Sequence, residues 1–141
     1  MRVAWISLLA LLAGCASIPR SGSGSESAGP RARFGEEFPL PLGESIPLDG
    51  SGYTIVFRKV LEDSRCPVDR TCVWEGNARI EIELKAAVEA DSGLVELNTS
   101  SRFPTPNAVA GVVFEVRRLE PAPRADTPTQ GYVVTLFARK S

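Results

Sequence analysis

Length, composition and charge narrow the class of this protein. The chain has 141 residues, of which 43% are apolar, 23% charged and 7% aromatic; this is typical of one globular domain and excludes collagens, coiled coils and polytopic membrane proteins. Sixteen basic residues against seventeen acidic ones leave a net charge of −1, so we expect no nucleic-acid partner. The chain has no histidine, which excludes Ser-His-Asp and Cys-His catalytic systems and histidine-ligated zinc.

The N-terminus has the pattern of a secretory signal peptide. Arg2 precedes an apolar run at 3–13 in which Ser7 is the only polar residue, and this run is shorter than the roughly 20 residues that span a bilayer. It ends in the sequence LAGC at 12–15, which resembles the lipobox of bacterial lipoproteins. The resemblance implies cleavage immediately before Cys15 and acyl chains on that cysteine, which anchor the chain to a membrane. The alternative is a plain secretory signal followed by a chance cysteine.

The lipobox resemblance also implies a location. In Gram-negative lipoproteins an aspartate directly after the lipidated cysteine favours retention in the inner membrane, and here Ala16 occupies that position. For a Gram-negative host, the resemblance therefore implies a cell-envelope lipoprotein anchored in the outer membrane and facing the periplasm.

A flexible linker is expected after the anchor. Residues 16–33 are dominated by Ser, Gly, Ala and Pro and show no apolar periodicity, so they cannot bury enough surface to fold. As a random coil these residues span roughly 20 to 25 Å. The predicted organisation is a signal peptide at 1–14, a lipidated cysteine and linker at 15–33, and a domain at 34–141.

The domain shows the period-two pattern of an all-β protein. In the clearest run, at 77–84, Ala78, Ile80, Ile82 and Leu84 alternate with polar residues. Further strands are predicted at 38–42, 45–48, 53–61, 94–98, 112–116 and 132–137. Prolines in the first of these place it at a sheet edge or in an extended arm, and apolar residues on both faces of the last one make it central. Six or seven antiparallel strands fit a β-sandwich, which we favour, or a small partly open barrel.

The connections between these strands are predicted to be simple. One helical turn is possible at 85–90, before a hairpin turn at 91–93. The loops at 100–111 and 121–131 have the composition of ordinary surface connections.

The connection at 62–76 carries the remaining cysteines. With Cys15 assigned to lipid, Cys66 and Cys72 form an even pair in an exported protein, so they are predicted to form a disulfide. A zinc site would need about four ligands, and a thiol oxidoreductase would need a Cys-x-x-Cys pair that begins a helix. The disulfide is therefore the favoured interpretation.

Charged residues and one aromatic ring surround this predicted disulfide. The candidate partner-binding loop comprises Arg65, Asp69, Arg70, Trp74, Glu75 and Asn77. A calcium site or a hydrolytic carboxylate pair would instead recruit Asp63, Asp69 and Glu75. A purely structural interpretation pairs Arg65 with Asp69, lets Asp69 or Asn77 cap a turn, and packs Trp74 over the disulfide.

The same stretch carries a second resemblance. The sequence DSRCP at 63–67, followed by CVWEGNA at 72–78, resembles a recurrent signature of small bacterial exported proteins and lipoproteins. The resemblance implies a short cysteine loop between two strands, and it contributes no catalytic residue.

Together these patterns predict a noncatalytic cell-envelope lipoprotein whose disulfide-stapled β domain binds a protein or a polymer of the envelope. Its membrane contact is through the acyl chains on Cys15, and no cofactor or metal is expected. One alternative is a carboxylate-based metal-binding or hydrolytic module. Another is a lysozyme or protease inhibitor of the periplasm, by analogy of fold alone.

Overall fold

The computed structural model describes residues 29–141, so the predicted signal peptide, Cys15 and most of the predicted linker lie outside the described residues. The chain joins the folded domain at Ala32, which is fully buried. Its N–H donates to the carbonyl of Pro47 at 2.9 Å, and its carbonyl accepts from the N–H of Asp49 at 2.9 Å. The folded part thus begins beside residues 47–49.

Eight β-strands make up the domain. They are β1 (Glu37–Pro41), β2 (Ser45–Leu48), β3 (Tyr53–Asp63), β4 (Ala78–Lys85), β5 (Gly93–Asn98), β6 (Ala108–Val109), β7 (Val112–Glu120) and β8 (Val133–Lys140). They form two antiparallel four-stranded sheets with the orders β2-β3-β4-β5 and β1-β8-β7-β6. The predicted all-β class is confirmed, and two open sheets correspond to the sandwich rather than to a barrel.

The predicted positions of particular strands are also confirmed. The proline-bearing β1 lies at a sheet edge. An edge strand tolerates prolines, which have no N–H, because it has a neighbouring strand on one side only. The last strand, β8, lies inside its sheet between β1 and β7. The possible helical turn is a short 3-10 helix at Glu89–Asp91. The structure adds β6, a two-residue strand within a segment that had been predicted to be a plain connection.

The core lies between the two sheets. Along β4, every apolar residue of the predicted alternation is completely buried, because alternate side chains of a strand point to one face. The opposite sheet contributes Phe114, Val134 and Leu136, which are also fully buried.

Between residues 29 and 141, no helix is long and apolar enough to cross a bilayer.

The two ends of the sandwich are formed by different segments of the chain. Tyr53, at the start of β3, pairs with Leu48 next to the point where the chain joins the domain. The strand then runs to Asp63, a length of roughly 30 Å at the usual rise per residue. We call the first end the tether pole. The other end, formed by the loops at 64–77, 99–105 and 121–131, is called the distal pole.

Candidate functional site

The loop at 64–77 is closed by the predicted disulfide. Cys66 and Cys72 are bonded, with their Cα atoms 5.9 Å apart, so this prediction is confirmed. The Cys66 N–H donates to the carbonyl of Glu75 at 2.9 Å, and the Ser64 N–H donates to the carbonyl of Asn77 at 2.7 Å. The loop therefore leaves and rejoins the sheet through paired backbone, with the disulfide closing its outer part.

Asn77 joins this loop to the next one. Its side chain is 8% exposed; its amide donates to Asn98 Oδ1 at 2.7 Å, and its own oxygen accepts from the Ser100 N–H at 3.1 Å. The Ser100 hydroxyl in turn donates to Glu75 Oε1 at 2.8 Å. Asn77 and Glu75, both predicted to contact a partner, thus hold the loop at 64–77 against the loop at 99–105. Such satisfied buried networks fix a single local geometry.

The expected pairing of Arg65 with Asp69 is wrong. The Arg65 guanidinium instead donates to both carboxylate oxygens of Asp63, at 2.8 and 2.7 Å. It also donates to the carbonyls of Leu119 and Pro121. The two side chains are only 15% and 9% exposed. The fork of donors on an arginine suits this position, because it can bind a carboxylate and two carbonyls together.

Tyr132 completes this cluster and influences its ionisation. Its hydroxyl donates to Asp63 Oδ2 at 3.0 Å. Burial by itself would raise the pKa of Asp63, but the hydrogen bonds and charge of Arg65, together with the Tyr132 hydroxyl, outweigh it and hold this pKa below its usual value. Burial, and then the neighbouring Asp63, raise the pKa of Tyr132 despite an opposing hydrogen bond. Asp63 is therefore an ionised structural partner and not a proton donor near neutral pH.

Asp69 and Arg70 connect the disulfide loop to the loop at 121–131. Asp69 Oδ1 accepts from the Ala125 N–H at 2.9 Å, and this hydrogen bond lowers the pKa of Asp69. Arg70 lies 3.1 Å from Asp126 in an exposed ion pair. The loop at 121–131, predicted to be an ordinary connection, is thus one wall of the distal pole.

The three carboxylates proposed for calcium do not share a site. Asp63 binds Arg65, Asp69 accepts from the backbone of Ala125, and Glu75 accepts from Ser100. Within residues 29–141, no group of three or more metal-ligating side chains is close enough to hold an ion. A calcium site would need several such oxygens around one point.

Trp74 contacts an aromatic residue that the sequence analysis did not single out. It had been expected to pack over the disulfide, whereas its ring pairs with that of Phe103, with centroids 6.2 Å apart and planes inclined by 55°. The two side chains remain 44% and 42% exposed. No pattern signalled Phe103, because it stands alone in a loop rich in proline and polar residues.

A groove of about 740 Å³ lies beside these two rings. We call it the aromatic groove. Its lining includes Trp74, Phe103, Glu62, Arg79, Arg102 and Asn98.

Some polar side chains of the aromatic groove are paired with other residues, and some are not. The Asn98 side chain is occupied, because its amide also donates to the Phe103 carbonyl at 2.8 Å. Arg79 lies 3.4 Å from Glu96 in a half-exposed ion pair. Arg102 and Glu62 form no ion pair with any other residue in the described part of the chain.

The distal pole also exposes apolar side chains outside the aromatic groove. Val73 is completely exposed and Val68 is 60% exposed. With Trp74 and Phe103, they place four of the seven large exposed apolar residues of the described chain on this pole. Clustering of this kind marks an interaction site more often than scattered single residues do.

No protein family, curated protein or solved structure matches this chain. Its function is therefore inferred from its own residues.

Proposed function

We propose that this chain is a noncatalytic, lipid-anchored binding module of the bacterial cell envelope, which holds an envelope partner at its distal pole. The charged start, the short apolar run and the LAGC sequence at 12–15 support lipid attachment at Cys15. The composition of residues 16–33 supports a flexible tether between the lipid and the domain.

The observation that carries this proposal is the position of the aromatic groove. The chain joins the domain at Ala32, next to the start of β3, whereas Trp74 follows the far end of the same strand. With a random-coil linker of roughly 20 to 25 Å in line with a domain of roughly 30 Å, we expect the aromatic groove about 50 Å from the lipid surface. A partner at that distance belongs to the space beyond the headgroups.

The distal pole is organised before any partner binds. The disulfide closes the outer part of the loop at 64–77. The Asn77 network ties this loop to Ser100, and the Arg65 guanidinium ties it to the carbonyl of Leu119. Binding then requires little further ordering of these loops, which lowers its entropic cost. Recognition loops on a rigid β scaffold are a common arrangement.

The noncatalytic assignment is supported by how the carboxylates of this pole are used. The Asp63 carboxylate is paired with a guanidinium, and Asp69 and Glu75 accept hydrogen bonds from other loops. General acid–base chemistry needs a group whose pKa lies near the working pH, and the pKa values of Asp63 and Asp69 are shifted away from neutrality.

The complete exposure of Val73 favours a second candidate function. This apolar side chain directly follows Cys72 of the disulfide, and an exposed anchor of that type can enter the cleft of an envelope hydrolase. An inhibitor of a lysozyme or protease would use such a loop, and it would lower the turnover of the purified hydrolase.

In-cell photocrosslinking tests the binding function. A benzophenone amino acid, which inserts into C–H bonds of proteins and polymers alike, is placed at Val73 on the distal pole. The matched control places it at Val88, a 61% exposed valine between β4 and β5 on the tether pole. We expect adducts from position 73 and not from position 88, and their loss when Trp74→Ala is added. Equal adducts from both positions, or none from either, would contradict the proposal.

A further inference from the structure

We infer that the aromatic groove binds a glycan strand whose sugars carry carboxylate groups. This inference rests on the proposed function, because the cell envelope supplies such polymers. It names the chemical class of the partner, which the position of the distal pole alone leaves open.

The two rings suit the faces of sugar rings. One face of a pyranose exposes carbon-bound hydrogens with partial positive charge, and these stack on the negative face of an aromatic ring. Trp74 and Phe103 lie 6.2 Å apart and are inclined by 55°, so each presents its own surface and they do not close a cage around one group. Both residues keep more than two fifths of their surface exposed, as contact with a strand lying along the open aromatic groove requires.

Arg102 is the cation of the aromatic groove that is open to an acidic ligand. It directly precedes Phe103 in the chain and forms no ion pair within residues 29–141. Arg79 is not open in this way, because it pairs with Glu96 at 3.4 Å and lies opposite Glu62 on the neighbouring strand. Guanidinium groups bind carboxylates through paired hydrogen bonds. A carboxylate on a sugar stacked against Phe103 would lie within the reach of the Arg102 side chain.

A glycan fits these walls better than the flat face of a protein does. The core of a protein interface accepts arginine and aromatic rings but is depleted of glutamate, whereas Glu62, unpaired within residues 29–141, lines the aromatic groove beside them. Burying Glu62 unpaired under a protein would carry a large desolvation cost. Sugar hydroxyls and bridging waters leave such groups hydrogen-bonded. The exposed Val73 is not part of this lining, so it distinguishes a strand confined to the aromatic groove from a protein that covers the whole pole.

The test uses Trp74 as an intrinsic probe. The chain has two tryptophans, Trp5 and Trp74, and removal of the signal peptide leaves only the second. Full-length exported protein, extracted in detergent, is titrated with glycan strands that an amidase has released from purified sacculi, and with the neutral hexamer of N-acetylglucosamine. We expect a saturable change in Trp74 emission and a binding preference of about tenfold for the acidic strands, comparable to one charge-assisted contact.

Four variants test the geometry. Phe103→Ala is expected to weaken binding about tenfold or more. Arg102→Gln is expected to remove the preference for acidic strands, and Val88→Ser, on the tether pole, to leave both affinities unchanged. Because Trp74→Ala removes the probe, its binding to the same amidase-released strands is followed by isothermal titration calorimetry, where binding should be lost. Each variant is compared only after its melting temperature and its bonded cysteines match those of the parent protein.

Three results would overturn the glycan inference. Absence of binding to acidic strands overturns the inference, and so does a Val88→Ser loss as large as that of Phe103→Ala. Tighter binding of free stem peptides than of the strands would assign the carboxylate to a peptide and also overturn it. The glycan inference can fail without the proposed function: if crosslinks from position 73 capture a protein while no glycan binds, the binding module stands and only the glycan inference is lost.

Discussion

Replacing Gly76 by alanine should disrupt the distal pole far more than the same replacement at another left-handed glycine. Gly76 has a φ of +77°, and a Cβ at this position would overlap the carbonyl oxygen of Ser64 and lie 2.6 Å from the Arg65 Cα. Both neighbours are backbone atoms of the chain that runs past the glycine. They cannot move without opening the start of the loop at 64–77.

The expected cost follows from the contacts that would break. The left-handed conformation alone costs about 1 to 2 kcal/mol for a residue with a Cβ. The overlap also separates the backbone pairs Ser64–Asn77 and Cys66–Glu75, each of which contributes about 1 kcal/mol. The total of about 3 to 4 kcal/mol is a large share of the 5 to 15 kcal/mol typical of a domain.

Gly131→Ala is the matched control. Gly131 has a φ of +68°, but no atom lies within 4 Å of the position of its added Cβ, so only the conformational cost of about 1 to 2 kcal/mol applies. Urea unfolding of both variants measures the difference. Equal losses of stability would refute the close packing of the loop at 64–77 on Ser64 and Arg65.

Three further predictions concern single residues. Cys66→Ser and Cys72→Ser should each lower the free energy of unfolding by about 2 kcal/mol, and the double variant should lower it by no more, because all three open one small loop. Thermal unfolding measures these losses, and unequal losses for the two single variants would argue against the disulfide. Asp63→Asn should reduce stability at pH 7. Since the folded pKa of Asp63 is lowered, its contribution is present above about pH 4 and is lost as the pH falls through the folded pKa. The urea midpoints of variant and parent should therefore converge as the pH is lowered below about 4. Cys15→Ser should abolish palmitate labelling and release the chain from the membrane fraction; continued labelling would contradict lipid attachment at this cysteine.

The sequence was sufficient for features that depend on local pattern. The alternation along β4 identifies its buried face, because the side-chain period of a strand is two. The disulfide followed from the number of cysteines and from the predicted export. The edge position of β1 followed from its prolines, which cannot donate to a neighbouring strand.

Features that depend on contacts between distant segments could not be obtained in this way. Arg65 binds the Leu119 carbonyl, and nothing within its own loop reveals that this carbonyl lies nearby. Phe103 meets Trp74 only because the segment after β5 turns back toward the end of β3. The two residues of β6 are too few to show a period. The aromatic groove is therefore a product of tertiary packing and has no signature in the sequence.

Intact-mass analysis of the protein extracted from membranes tests the tethered module most directly. The account predicts a chain that begins at Cys15, carries the mass of its acyl groups, and takes up thiol-alkylating reagent at two positions only after reduction. An unmodified Cys15, a retained signal peptide, or alkylation of Cys66 or Cys72 without reductant would contradict it.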